Sequence, residues 1–179
     1  MQEMDRPRVQ MATHSVEDGR VGADGFESFY EAERDGLFGA LVLITGNRHE
    51  AEEVAQDAFL ALWERWDRVS GLEDPTGYLY RTAMNGFRKR RRRAALAVRH
   101  VLHLAPAEDL FAQADARQVV AQALAGTSRR QRAALVLTEL LGFTSEEAAR
   151  AMGIKPVTVR VLASQGRAAI KKKMERSDE

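Results

Sequence analysis

A chain of 179 residues, 45% of them hydrophobic and none a cysteine, can hold one ordinary domain or two small ones, and it excludes disulfides, thiolate metal sites and a cysteine nucleophile. Its net charge of +1 hides a segregation: Phe26 to Asp74 carries twelve acidic and four basic residues, Tyr80 to His103 eight basic and no acidic, Arg117 to Arg176 twelve basic and four acidic. One acidic surface for a partner and two basic surfaces for a polyanion are therefore expected, and no apolar run approaches the roughly 20 residues of a membrane span.

The first 25 residues are polar, contain Pro7 and three glycines, and lack both a helical period and the apolar core of a signal peptide. They read as a disordered tail, 1–25. Phe26, Phe29, Tyr30, Leu37, Leu41 and Ile44 then recur at helical spacing, and Gly46-Asn47 supplies a stop. A second helix is expected from about Glu50 to Trp66, with Val54, Ala58, Phe59, Leu62, Trp63 and Trp66 as its apolar stripe and with Glu53 and Asp57 exposed. Gly71 to Pro75 reads as a loop. From Thr76 onward Tyr78, Leu79, Thr82, Ala83 and Phe87 begin a third helix that runs into Arg88-Lys-Arg-Arg-Arg-Arg93. Six adjacent cations repel one another, so that run favours a nearby anion more than an ordinary solvated face would.

Around Pro106 the period is lost, and 96–109 reads as a flexible linker between a first domain, 26–95, and a second, 110–175. The second begins with a helix from about Leu110 to Ala125. Ser128-Arg-Arg-Gln131 is a capping box ahead of the apolar run Ala133 to Leu141, closed by Gly142; Thr144-Ser-Glu-Glu147 is another, and Pro156 suits a first helical position. With no alternating strand pattern of useful length, the fold class is all-α: two small helical domains, the C-terminal one holding a helix-turn-helix.

In that motif the inward positions are Ala148, Ala149, Met152, Ile154, Val159 and Leu162, with Gly153 at the turn. Lys155, Val157, Thr158, Arg160, Val161, Ser164, Gln165 and Arg167 are left facing outward, where such side chains can meet base edges, thymine methyls or phosphates in a major groove. The alternative is an ordinary helical hairpin. The basic end of the same helix, Arg167 and Lys171-Lys-Lys173, favours DNA. The four histidines form no metal-ligand pair and no cluster of catalytic residues stands out, so neither enzyme activity, metal nor other cofactor is expected.

Taken in order, Ala51-Glu-Glu-Val-Ala-Gln-Asp-Ala-Phe-Leu-Ala-Leu-Trp63, Pro75-Thr-Gly-Tyr-Leu-Tyr-Arg-Thr-Ala-Met-Asn85 and the helix-turn-helix resemble a bacterial RNA polymerase sigma factor of the extracytoplasmic-function (ECF) group, over about Phe26 to Met174. The resemblance implies that Glu52, Glu53, Gln56, Asp57, Leu60 and Trp63 dock on the clamp helices of the polymerase largest subunit. It implies that the loop Val69 to Thr76 and the helix after it capture a flipped base of the minus-ten element. Tyr78, Tyr80 and Asn85 are the candidates, although Tyr78 and Leu79 also suit a core. Arg88, Lys89, Arg90, Arg91, Arg92 and Arg93 would hold phosphates beside the melted strand. The C-terminal domain would read the minus-thirty-five element and touch the polymerase flap.

Arg160-Val-Leu-Ala-Ser-Gln-Gly-Arg167 departs from the Lys-Ser-Arg-Leu-like run of many relatives, and Gly166 there costs about 1 kcal/mol of helix stability. A cytoplasmic location, an anti-sigma partner and no added C-terminal regulatory domain are further expectations. The rival reading is a stand-alone helix-turn-helix regulator that binds duplex DNA without polymerase.

Overall fold

A computed structural model describes residues 23–98, 120 and 122–175, and every regular element among them is helical. Most of the expected tail and linker, and most of the expected helix from Leu110 to Ala125, lie outside the described residues; 23–25 open the first helix and 96–98 close the fourth, so both helices run a turn further than expected. In chain order the elements are α1 (Ala23–Thr45), α2 (Arg48–Trp63), α3 (Trp66–Val69), α4 (Pro75–Val98), α5 (Arg129–Leu135), α6 (Ser145–Met152) and α7 (Pro156–Glu175). A π-helical turn, Val136–Leu140, continues α5.

The starts are set by side-chain caps. Asn47 accepts the Glu50 N–H at 2.8 Å to begin α2, and both expected capping boxes form, Ser128 with Gln131 and Thr144 with Glu147. The Glu147 carboxyl is held below the usual carboxylate range, first by the Thr144 backbone N–H and then by its hydroxyl.

The second helix is shorter than its periodicity suggests. It ends at Trp63, the chain leaves helical geometry at Arg65 (φ −130°, ψ 18°), and α3 restarts at Trp66. The break turns Trp66 into the core, with ring centroids 5.3 Å from Phe26 and 5.1 Å from Phe29, while Trp63 stays half exposed. An unbroken helix would place both tryptophans on one i, i+3 stripe.

In the N-terminal half α1 packs on α2 and α2 on α4, around Leu37, Leu41, Ile44, Val54, Leu62 and Leu79, all fully buried. Burial of each such side chain contributes about 1.5–3 kcal/mol. In the C-terminal half α5 packs on α7, and α6 on α7. The halves also meet: α4 lies along α6, the Tyr80 and Phe143 rings make an edge-on contact at 5.2 Å, and an Arg129 Nη2 sits 3.9 Å from Glu50 Oε2.

One polar contact fixes the start of α4 against α1. The Thr76 hydroxyl donates to Glu33 Oε1 at 2.8 Å, and the Gly77 N–H donates to Asp74 Oδ1 at 2.7 Å. Burial raises the Glu33 carboxyl above its ordinary value; the Thr76 bond lowers it and nearby Asp74 raises it again. A carboxyl raised on folding favours the folded state below its unfolded pKa, and that advantage is lost as pH rises through the folded value. Glu33→Gln keeps an acceptor for Thr76 without the charge. It should therefore raise stability at pH 7 and flatten the pH dependence just above the ordinary carboxylate range. Urea denaturation at pH 4 and pH 7 checks this; a variant less stable at pH 7 contradicts it.

Candidate nucleic-acid and partner-binding surfaces

The acidic helix α2 buries Ala51, Val54, Ala58, Phe59 and Leu62 and turns Glu52, Gln56, Asp57, Leu60 and Trp63 outward. Leu60 is 59% exposed and Trp63 48%, and an apolar groove of about 530 Å³ floored by Phe26, Tyr30 and Phe59 opens beside them. A large apolar pair left in water on an otherwise charged helix marks a contact surface.

Asp57 is exposed as expected, Glu53 is half-buried, and both pair with one cation of α4. Arg90 Nη1 donates to Glu53 Oε2 at 2.6 Å and Arg90 Nη2 to Asp57 Oδ2 at 2.8 Å. The Asp57 hydrogen bond leads the causes that raise the Arg90 guanidinium. Arg90 thus pairs with the acidic helix, whereas Lys89, Arg91, Arg92 and Arg93 beside it are exposed. Packing α2 against α4 brings residues more than thirty apart together, a pairing that no local spacing signals.

On α4 the three candidates for base capture separate. Tyr78 and Tyr80 are two residues apart on a helix of 3.6 residues per turn, so they point to opposite sides. Tyr78 is half-buried, with the Arg81 guanidinium 4.9 Å from its ring centre. Tyr80 is 4% exposed and packs on Phe143, and burial raises its hydroxyl well above the ordinary tyrosine range. An unpaired base cannot stack on a ring so enclosed, so Tyr80 is a core residue in this arrangement. Asn85 is exposed, but its Oδ1 accepts from Arg88, whose other Nη donates to the Met152 carbonyl across the seam between the halves. Lys89, Arg91, Arg92 and Arg93 are exposed.

The helix-turn-helix follows its expected spacing. Ala148, Ala149, Met152 and Val159 are buried, Ile154 and Leu162 are half-buried, and Gly153 makes the turn at φ +61°. Lys155, Val157, Arg160, Val161, Ser164, Gln165 and Arg167 are exposed; Thr158 is half-buried. Three of these have intramolecular partners: Arg160 Nη1 lies 3.5 Å from Glu146 Oε1, Arg167 Nη1 2.7 Å from Glu139 Oε1, and Gln131 Nε2 donates to Gln165 Oε1 at 3.4 Å. Exposed ion pairs of this kind contribute about 0–1 kcal/mol, so a phosphate or base can displace them.

Gly166, which propensity counts as a cost, is a buried contact point: a Cβ there would stand 2.7 Å from Leu135 Cδ1 and 3.1 Å from its Cγ. The missing Cβ lets α7 approach α5. Gly166→Ala gains about 1 kcal/mol of helix propensity but overpacks a site whose strain runs to about 1–3 kcal/mol. A net destabilisation of about 1 kcal/mol is expected in equilibrium urea unfolding; a more stable variant contradicts the close-approach reading.

The faces so described are an acidic and apolar helix, a basic helix after a loop, and a helix-turn-helix. Residues 29–97 match the sigma-70 region 2 family and residues 117–170 the sigma-70, region 4 family. The chain belongs to the sigma-70 family. It is 27% identical to the ECF RNA polymerase sigma factor SigG of Mycobacterium tuberculosis, in two strains, over 92% of this chain. The chain spans about half, 54%, of the length of these curated relatives. Its fold is similar to that of the sigma factor RpoE, solved in complex with the anti-sigma factor NepR from Bartonella quintana (TM-score 0.70, 20% identity, 86% of this chain and 98% of that one). It is also similar to CnrH, solved in complex with the cytosolic domain of CnrY (TM-score 0.60, 22% identity, 87% and 90%). Among the described residues no helix is long and apolar enough to cross a membrane, and no group of three or more potential metal ligands occurs.

Proposed function

We propose that this chain acts in the cytoplasm as a non-enzymatic sigma factor, binding RNA polymerase core and directing initiation at promoters with matching minus-thirty-five and minus-ten elements. The observation that carries this reading is the α7 face, exposed from Lys155 to Arg167 around a buried Val159–Ala163–Gly166 seam, in a chain that also matches sigma-70 region 2. A stand-alone regulator has no use for region 2 or for the exposed Leu60–Trp63 pair within it.

In this reading residues 26–95 dock on the clamp helices of the largest subunit through Glu52, Gln56, Leu60 and Trp63, with Glu53 and Asp57 held in place by Arg90. Residues 110–175 contact the flap and read the minus-thirty-five element through the outward positions of α7. On α4, Tyr78 and Asn85 receive the flipped minus-ten base, and Arg88, Lys89, Arg91, Arg92 and Arg93 neutralise the backbone beside it. Holding a flipped base offsets an unstacking cost of a few kcal/mol, so melting needs no covalent step. Arg88 is shared between Asn85 and the Met152 carbonyl, so a strand bound on this face takes those contacts over. The solved complex of RpoE with the anti-sigma factor NepR supports an anti-sigma protein as a further partner.

Affinity capture tests the reading. The tagged chain should retain purified core polymerase, and labelled promoter DNA should be retained strongly only when core is present. Tight, specific retention of duplex DNA by the chain alone, with no capture of core, favours the stand-alone regulator instead.

A further inference from the structure

The seam between the two halves holds a cleft of about 460 Å³. Arg88, Arg91 and Arg92 line it from α4, Arg129 and Arg130 from the start of α5. Phe87, Met152 and Ile154 contribute apolar lining, and no carboxylate occurs among the described residues that line it. Three of the guanidiniums already have company: Arg88 on the Met152 carbonyl and Asn85, Arg129 near Glu50, and Arg91 at 5.9 Å from the centre of the Phe87 ring. Arg92 and Arg130 are exposed.

Concentrating five cations without a carboxylate is unfavourable. The Arg88 guanidinium is held below its ordinary range by burial and then by Arg92, and neighbouring Arg132 by burial and then by Arg129. An anion in the cleft would relieve that repulsion. The planar fork of arginine suits phosphate oxygens, and an oligophosphate places several charges within a few ångströms, as the clustered forks do. The volume falls in the usual small-molecule range, roughly 300–1,000 Å³, which is too small for a duplex.

We propose that this interdomain cleft is a binding site for an oligophosphate, held by Arg92 from one half and Arg130 from the other. Arg88, Arg91 and Arg92 are also candidate contacts for the minus-ten strand, so an oligophosphate bound here would compete with promoter DNA; that consequence alone rests on the function proposed above.

Titration calorimetry of the full chain with ATP and, separately, with inorganic tripolyphosphate tests the site without polymerase or DNA, so its failure leaves the sigma-factor reading intact. One ligand per chain is expected. Arg92→Ala and Arg130→Ala should each weaken binding at least about threefold and together at least about tenfold, since each removes one charged fork from the ligand. Arg92→Lys with Arg130→Lys, which keeps charge but not the fork, should fall between wild type and the double alanine variant. Arg65→Ala with Arg68→Ala removes the same charge from exposed positions outside the cleft and should leave affinity within about twofold. Circular dichroism confirms that each variant is folded. ATP binding several-fold tighter than tripolyphosphate identifies a nucleotide with its base on the apolar lining; equal binding identifies a polyphosphate chain. Absence of binding, several ligands per chain, dependence on only one of the two arginines, or equal weakening by the Arg65–Arg68 control overturns the site.

Discussion

Leu60→Asp is expected to lower affinity for RNA polymerase core about 100-fold, roughly 2.7 kcal/mol, while the melting temperature of the free chain stays within about 2 °C of wild type. The two effects separate because Leu60 is 59% exposed and lies outside the packed core, so water already solvates most of it in the free chain. A central apolar anchor at an interface typically costs about 2–4 kcal/mol when lost, and a buried unpaired carboxylate adds to that. Reversing Glu53 and Asp57 to arginine is a poorer test, because both carboxylates hold Arg90 and the reversed charges would repel it in the free chain. Binding of labelled core measured by fluorescence anisotropy, beside a thermal melt, checks both halves of the prediction. Unchanged affinity removes α2 from the docking surface.

Arg160→Ala should cost about 1–3 kcal/mol on the preferred minus-thirty-five sequence and change which bases are preferred. Arg160 is exposed near the start of α7, with only the exposed Glu146 pair to give up when it meets a base edge. Lys171 and Lys172 sit about three turns further on and fit the backbone better; replacing both with alanine should weaken all sequences alike and flatten the salt slope. Lys173 is left in place because its Nζ donates to the Gln122 carbonyl at 2.5 Å. A binding selection over randomised minus-thirty-five elements, run with core polymerase and each variant, decides the matter. A uniform loss in Arg160→Ala makes Arg160 a positioning residue.

Patterns that depend on neighbours along one helix were legible in the sequence. The capping boxes, the Gly153 turn and the alternation of buried Val159 with exposed Arg160 all follow from i to i+4 spacing and backbone conformation, which the residues carry locally. The break between Trp63 and Trp66 was not legible, because an apolar stripe continues through it and only packing on Phe26 and Phe29 favours turning Trp66 inward. Pairing between helices was equally hidden. Arg90 reads as one of six like charges until α2 lies beside α4, Tyr80 as a reading aromatic until Phe143 covers it, and Gly166 as a weakness until Leu135 stands against it. The cleft of five arginines draws on segments some forty residues apart and has no signature within either.

The most direct test of the proposed function is run-off transcription with purified core polymerase on a library of promoter fragments, with and without this chain. Transcripts should appear from a defined subset of fragments only when the chain is present, and those fragments should share a minus-thirty-five and a minus-ten element at a fixed spacing. Transcription that is unchanged by the chain, or repressed at sites it binds without core, contradicts the assignment.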